Sequence, residues 1–303
     1  MGLSRYSAWM LYQAYRCNAS FNEVLTIGRQ TNYLTIKDLE FVMSEEENNI
    51  DLDEIAKAQY AEPFFYSALK SRKVDSIDYC DYEGAVITHD MNKNIPSEFK
   101  SKYDVVVETG TLEHIFNFPI AVHNCMQLLK KGGLIFFALP ANNYCGHGFY
   151  QFSPELFYRI FSERNGFTLE KMIVVESWFS GIERGAREPV YLVNDPSEIG
   201  RRITLINNYP ALIMLQGRKI GKVPSELLVM QSDYVSTWEM ASDGSLDART
   251  ITENEKRMSR FKNVVKKLLT FLPKKIEYYL RSLYERKRFH SVRDRVAYTP
   301  IKF

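Results

Sequence analysis

Two of the five histidines lie in loops where an imidazole could take part in catalysis. His114 follows a continuous apolar run, and His147 lies between two glycines in the segment NNYCGHGFYQ, residues 142–151. A neutral imidazole accepts a proton near neutral pH, so both side chains are candidates for a general base, His147 first and His114 second. In the competing interpretation His114 shapes its loop together with Glu113, and His147 is an exposed loop residue.

The elements around these histidines predict a parallel sheet. The apolar run over 103–108 is typical of a strand buried on both faces. A helical pattern over 119–129 and a second apolar strand over 134–139 follow it, which together indicate a parallel crossover. Ligands of such sheets bind outside the carboxyl ends of the strands, and the His147 loop lies at that edge. Further strands are predicted over 23–28, 74–79, 85–89, 171–176 and 211–215, and further helices over 62–70 and 154–165.

The charge distribution predicts how the chain is divided. The net charge is +2, but residues 251–303 carry fifteen Lys and Arg against five Asp and Glu. We therefore expect a domain over 1–240, a polar linker over 241–260 and a basic amphipathic helical tail over 261–303. The four cysteines form no CxxC pair and no zinc-type cluster, which predicts reduced thiols and a cytoplasmic location.

Several motifs, taken in order, resemble class I S-adenosylmethionine (SAM)-dependent methyltransferases. They are a strand ending on a glycine, an acid ending the second strand, the segment HDMNKNIP, the segment YDVVVETGTLEHIFN and the segment KKGGL. The resemblance covers roughly residues 20–220. It implies a Rossmann-like, mostly parallel sheet flanked by helices, with an antiparallel last strand. It also implies SAM as the cofactor.

The resemblance also assigns residues to the cofactor. Asp78 would accept hydrogen bonds from both ribose hydroxyls, and Asp90 would lie near the adenine amine. The turn after the first strand departs from the family because it holds one glycine where relatives have two or three. We therefore expect this loop to follow another path, with Arg29 near the SAM carboxylate and an insertion before the second strand. The full predicted cofactor set is Gly28, Arg29, Asp78, Asp90, Glu108 and Gly110.

The resemblance implies methyl transfer, and the loop histidines favour a hydroxyl of a small molecule or glycan as the acceptor. No metal is expected, because Glu108, Glu113 and His114 differ in spacing from the magnesium set of related quinone-pathway enzymes. One alternative is a catalytically inactive SAM-fold binding or scaffold module. The other is a nicotinamide-dependent sugar-modifying enzyme, suggested by the Tyr-x-x-x-Lys pattern over 66–70 but lacking a GxGxxG turn.

Three interpretations of the basic tail stay open. It could be a surface helix packed on the domain, a peripheral contact with anionic membrane lipid, or a contact with phosphorylated or nucleic-acid partners. Because the basic residues form one terminal block without an RNA-binding motif, we expect no nucleic-acid partner.

Overall fold

The structure is a computed structural model that describes residues 2–43, 50–177, 188–242, 273–288 and 291–303. Two compact units are present, the first formed by Met1–Val193, Asn208–Val229 and Pro300–Phe303, the second by Asn194–Asn207 and Met230–Thr299. The elements of the first unit are β1 (Gly2–Leu3), α1 (Arg5–Arg16), β2 (Glu23–Ile27), β3 (Thr31–Asn32), α2 (Ile36–Val42), α3 (Leu52–Lys57), α4 (Glu62–Ser67), β4 (Lys73–Asp78), β5 (Ile87–Thr88), β6 (Tyr103–Glu108), α5 (Phe118–Leu128), β7 (Leu129–Asn142), α6 (Pro154–Ile160), β8 (Phe167–Glu176), β9 (Val190–Val193) and β10 (Ala211–Lys219). The second unit contains α7 (Ser232–Ser242), α8 (Lys274–Arg288) and β11 (Tyr298–Pro300), whose last residue falls in the first unit.

The main sheet of the first unit has the strand order β5, β4, β2, β6, β7, β10, β8, β9. The five strands from β5 to β7 run parallel to one another, and β10 runs antiparallel to both β7 and β8. The predicted α/β class, with a mostly parallel sheet and an antiparallel last strand, is therefore confirmed. β1 and β3 form a separate parallel pair.

The direction of strand addition reverses at β2. β2 pairs with β4 on one side and with β6 on the other, so the chain builds outward to β5 and then crosses back to β6. Register places Ile27 beside both Ile77 and Glu108, so the three strands end at the same edge. Such a reversal leaves a crevice at the carboxyl ends of the strands where α/β folds bind ligands.

Both faces of the sheet are covered because successive side chains of a strand point to opposite faces. Phe136 of β7 packs with Phe21 in the cluster that includes α1, α2 and α4. Its neighbour Phe137 packs against Phe157 and Phe161, on the side covered by α6. Each of these rings is at most 5% exposed, as expected for strands that read as continuous apolar runs.

The largest differences from the predicted boundaries are at the start of β7 and the end of α6. β7 begins at Leu129, five residues before the predicted start, because Leu129 pairs with Tyr103 ahead of an irregularity in the register. α6 ends at Ile160, and not at residue 165, because the Asn165 amide donates to the carbonyl of Ile160 at 3.0 Å and closes the turn. The prediction also missed α1, whose buried residues include Tyr6, Leu11 and Tyr12.

The predicted tail is described only in part. α8 lies within it, but residues 243–272, which hold most of the predicted linker and the start of the tail, lie outside the described residues. Among the helices that the structure describes, none combines the length and apolar character needed to cross a membrane. All four cysteines are free thiols.

A buried lysine closes the carboxyl end of α5. Lys219 is 7% exposed, and its Nζ donates to the carbonyls of Met126 at 3.1 Å and Leu129 at 2.7 Å. A cation at a helix C-terminus also interacts favourably with the helix dipole. Burial lowers the pKa of the Lys219 ammonium from its usual value.

We expect Lys219→Met to lower the free energy of unfolding by about 1–3 kcal/mol at neutral pH, because two buried carbonyls lose their donor. The pH dependence should change as well. The folded chain releases the Lys219 proton at a lower pH than the unfolded chain, so wild-type stability gains from this group as pH rises toward 10.5. The variant should lack that gain. Urea unfolding at pH 7 and pH 10 measures both effects, and the exposed Lys131→Met is the control.

Candidate active site

The turns after β2, β4 and β6 meet at one edge of the sheet. Gly28 has φ +70°, and its N–H donates to the Ile77 carbonyl at 2.8 Å. A Cβ built on Gly28 would lie 2.7 Å from Thr111 Oγ1 and 3.8 Å from Asp78 Oδ2. Glycine is therefore required here both for its conformation and for the close approach of the neighbouring loops.

The two predicted acids, Asp78 at the end of β4 and Asp90 after β5, are half-buried at this edge. Asp78 accepts the N–H of Tyr79 at 2.6 Å through Oδ1, which leaves Oδ2 directed toward Gly28. Asp90 Oδ1 accepts the backbone N–H and the side-chain amide of Asn92 at 3.0 and 2.9 Å. Hydrogen bonds from the Asn92 side chain, then from its backbone, lower the pKa of Asp90.

A glutamine replaces the missing glycines in the turn after β2. Gln30 is 4% exposed, and its Nε2 donates to the carbonyls of Ile27 at 2.6 Å and Gly28 at 3.1 Å. Its Oε1 accepts the Thr109 hydroxyl. The chain then leaves the sheet for β3, so the loop takes a course of its own, and α2, α3 and α4 occupy the predicted insertion. Nothing in the sequence pattern indicated this role for Gln30.

Arg29 was expected to lie near the carboxylate of SAM, but its guanidinium already contacts other groups of the chain. Its Nε is 2.7 Å from Glu62 Oε1, and its Nη1 donates to the Glu83 carbonyl at 2.8 Å. The guanidinium also lies 3.9 Å from the centre of the Tyr60 ring. Because these contacts already satisfy its charge, we do not include Arg29 among the residues proposed to hold a cofactor.

Glu108 organises the turn after β6 from inside. Its carboxylate is fully buried, and Oε1 accepts the N–H groups of Gly110 at 2.8 Å, Leu112 at 3.1 Å and Thr111. Gly110, with φ +111°, is also buried. The geometry gives Glu108 a positioning role, and direct contact of Glu108 or Gly110 with a cofactor stays a prediction.

The structure brings both predicted histidines together around Glu113. Glu113 is fully buried, and its Oε1 lies 3.4 Å from His147 Nε2 and 3.7 Å from His114 Nε2. The two imidazole rings are 5.3 Å apart between centroids. The histidine side chains are 48% exposed for His114 and 30% for His147, so solvent reaches them from outside the core. We name Glu113, His114 and His147 the His–Glu cluster.

The two loops meet because Gly148 permits it. A Cβ on Gly148 would lie 2.8 Å from Glu113 Cγ and 2.9 Å from the Glu113 carbonyl oxygen. That carbonyl accepts the N–H groups of Phe149 at 2.8 Å and Tyr150 at 3.3 Å. The Gly-His-Gly pattern thus fixes the His147 loop on the residue before His114. From the sequence, Glu113 was expected to shape the loop with His114, and it also belonged to the metal set that the spacing did not favour.

Burial controls the ionisation of this region. Desolvation raises the pKa of Glu108 to about 7, against the N–H donors that lower it. Desolvation, followed by repulsion from Glu108, raises the pKa of Glu113 to about 8. Desolvation lowers the pKa of both His114 and His147. The imidazoles are therefore neutral near pH 7 and can accept a proton or bind a cation through a ring nitrogen.

The strand order, with β10 antiparallel between β7 and β8, identifies the architecture. The fold is that of class I SAM-dependent methyltransferases. No protein-family model and no curated protein sequence matches the chain.

Solved structures with a similar arrangement are distant in sequence. A SAM-dependent methyltransferase from Thermotoga maritima is 15% identical, with 71% of this chain and 91% of that chain covered and a TM-score of 0.39. The N-methyltransferase NodS from Bradyrhizobium japonicum, in complex with S-adenosyl-L-homocysteine, is 12% identical over 71% and 86%, with a TM-score of 0.36. The branched-chain polyamine synthase from Thermus thermophilus is 11% identical over 74% and 59%, with a TM-score of 0.36. The fold assignment rests on the strand order of the sheet.

We expect Glu108→Ala to lower the free energy of unfolding by about 2–4 kcal/mol, because three N–H groups, two of them buried, lose their acceptor. Glu108→Gln keeps an acceptor oxygen in the same place and should cost less. Guanidinium unfolding of the three proteins at the same pH measures the difference. Equal losses in the two variants would contradict the positioning role of the carboxylate oxygen.

Proposed function

We propose that this chain is an enzyme that transfers the methyl group of SAM to a hydroxyl of a small-molecule or glycan acceptor. The observation that carries the proposal is the meeting of Gly28 with Asp78 and Thr111 at the reversal point of the sheet. The His–Glu cluster follows β6 and β7, whose carboxyl ends lie at the same edge. A cofactor held at Gly28 and Asp78 would share this edge of the sheet with a base in the His–Glu cluster.

The residues at the edge fit a SAM molecule. Because Gly28 has no side chain, its backbone could contact the methionine moiety in a turn where a Cβ would already meet Thr111 Oγ1 at 2.7 Å. Asp78 Oδ2 is available to accept hydrogen bonds from ribose hydroxyls, and Asp90 lies after the next strand for the adenine side. The bound cofactor would supply an electrophilic methyl group and its own leaving group. The chain has only to orient the acceptor and receive its proton.

The His–Glu cluster supports a hydroxyl acceptor. A hydroxyl must lose its proton as the oxygen bonds to the methyl carbon, and a neutral imidazole with lowered pKa is available to take it. His147 is the first candidate for this base and His114 the second. Both side chains are exposed enough for a bulky acceptor to reach them, which favours a glycan or another small molecule presented from solution.

The turn after β2 favours a second candidate, a SAM-fold binding or scaffold module without catalysis. Gln30 fills the place of the glycines that usually approach the cofactor. The two functions differ in whether SAM is bound and consumed, so cofactor binding is the first measurement to make.

We expect SAM and its demethylated product to bind the wild-type chain in isothermal titration, and Asp78→Asn to weaken both by about 10- to 100-fold. The loss corresponds to charge-assisted hydrogen bonds worth about 1.5–3 kcal/mol. Asp81→Asn removes an equal charge from an exposed position three residues away and should leave the affinity unchanged. Absence of binding at millimolar SAM contradicts the enzyme, and equal affinity of Asp78→Asn and wild type contradicts the ribose assignment.

Peripheral contact of the basic tail with anionic lipid is a further part of the proposal, together with a cytoplasmic location. The sequence places Phe261 and several aliphatic residues on one face of a helical pattern, with three lysines opposite. Phe303 packs 5.5 Å from Tyr6 and 5.1 Å from Trp9 between ring centroids. Deleting the tail would therefore damage the first unit, and charge substitution is the better test.

The triple variant Lys262→Gln, Lys266→Gln and Lys267→Gln should reduce co-sedimentation with phosphatidylserine vesicles, because each lysine near an anionic surface contributes about 1 kcal/mol. The matched control replaces three exposed lysines of the first unit, Lys37, Lys100 and Lys131, by glutamine. Equal loss of binding in the two triple variants would show a general charge effect and contradict the tail contact.

A further inference from the structure

The His–Glu cluster has a feature that proton transfer does not require. Three buried atoms of the cluster have no hydrogen-bond partner among the described residues. They are both carboxylate oxygens of Glu113 and Nε2 of His147. Buried polar atoms without partners are rare, and they mark places where a partner comes from outside the chain. Here they converge, because Nε2 of His147 and Nε2 of His114 both lie near the same Glu113 oxygen.

The separations suit a shared cation better than direct hydrogen bonds. Distances of 3.4 and 3.7 Å from Glu113 Oε1 to the two Nε2 atoms exceed the ~2.7–3.2 Å of good N–H···O bonds. Two ligand atoms at that spacing, each about 2.1 Å from one ion, subtend roughly 110–125° at the ion. One ligand atom from each of the three side chains falls within 4.8 Å of the others.

We propose that Glu113, His114 and His147 form a binding site for a divalent transition-metal ion. Two imidazole nitrogens and one carboxylate oxygen are ligands that zinc, manganese and iron accept, whereas magnesium prefers a shell of oxygens. Three protein ligands also leave coordination positions open, as in catalytic rather than structural metal sites. The site differs from the Glu108, Glu113 and His114 set considered from sequence, because the ligand atoms that lie within 4.8 Å of one another belong to Glu113, His114 and His147.

The metal site deepens the proposed function and, for its role in methyl transfer, rests on it. An acceptor oxygen bound at an open position would lose its proton more readily, because the cation stabilises the alkoxide. That proton would pass to solvent, and the C–O bond would form as the C–S bond of the cofactor breaks. In this arrangement the histidines would hold the ion, and solvent would receive the proton in place of the base role proposed above for His147 and His114.

The test titrates Zn²⁺, Mn²⁺ and Mg²⁺ into the chelator-treated full chain by calorimetry, with Co²⁺ absorption as the spectroscopic probe. We expect one Zn²⁺ or Mn²⁺ per chain, weaker Mg²⁺ binding, and loss of stoichiometric binding in His147→Ala and Glu113→Gln. His89→Ala, outside the cluster, should bind as wild type does. Because Glu113 is buried and its variant could fail to fold, His114→Ala, at an exposed position, provides an independent ligand deletion.

Three results would overturn the site: no stoichiometric binding, unchanged binding in both histidine variants, or Mg²⁺ binding as tight as Zn²⁺ binding. SAM titration of the same preparations separates this proposal from the proposed function. Loss of metal with SAM binding retained in His147→Ala supports the site. Metal binding without SAM binding in the wild-type chain sustains the site and overturns the enzyme.

Discussion

The pairing of β2 with two parallel neighbours is the constraint on which this edge of the molecule depends. Because β4 and β6 are hydrogen-bonded to opposite sides of the same strand, their carboxyl ends must open at one edge. The turns that follow are short of space there, which requires glycine at position 28 and draws Asp78 and Thr111 against it. Residues that are distant in the chain thereby lie close together.

Two buried carboxylates at this edge are stabilised in different ways. Glu108 is supported by three backbone N–H groups, so part of its desolvation cost is offset by the chain that it organises. Glu113 has no such support among the described residues, and its pKa is raised further by Glu108. The fold therefore maintains a carboxylate whose stability depends on a proton or a cation. Such unsatisfied groups are typical of sites kept for chemistry and not for stability.

The fold class and part of the candidate site could be predicted from the sequence. Continuous apolar runs identified β6 and β7 because both faces of these strands are covered, and loops at their carboxyl ends identified His114 and His147. Side-chain contacts between loops could not be foreseen. The place of Gln30 depends on carbonyls left open by a turn, and the convergence on Glu113 depends on how closely two backbones approach. Neither leaves a periodic signal in the sequence.

The close packing of Gly148 on Glu113 limits how genetic data at this loop can be interpreted. Every side chain introduced at 148 meets the backbone and Cγ of Glu113 within 3 Å, whatever the loop does for the protein. A mutational scan would then score position 148 as intolerant because each substitution displaces Glu113, and that score would not by itself assign a chemical role to residue 148. At Gly146 an added Cβ would meet nothing within 4 Å, but φ is +90°. The effect of a substitution there would therefore reflect backbone strain and not packing. The two glycines that flank His147 are thus held by different forces, packing at one and torsion at the other.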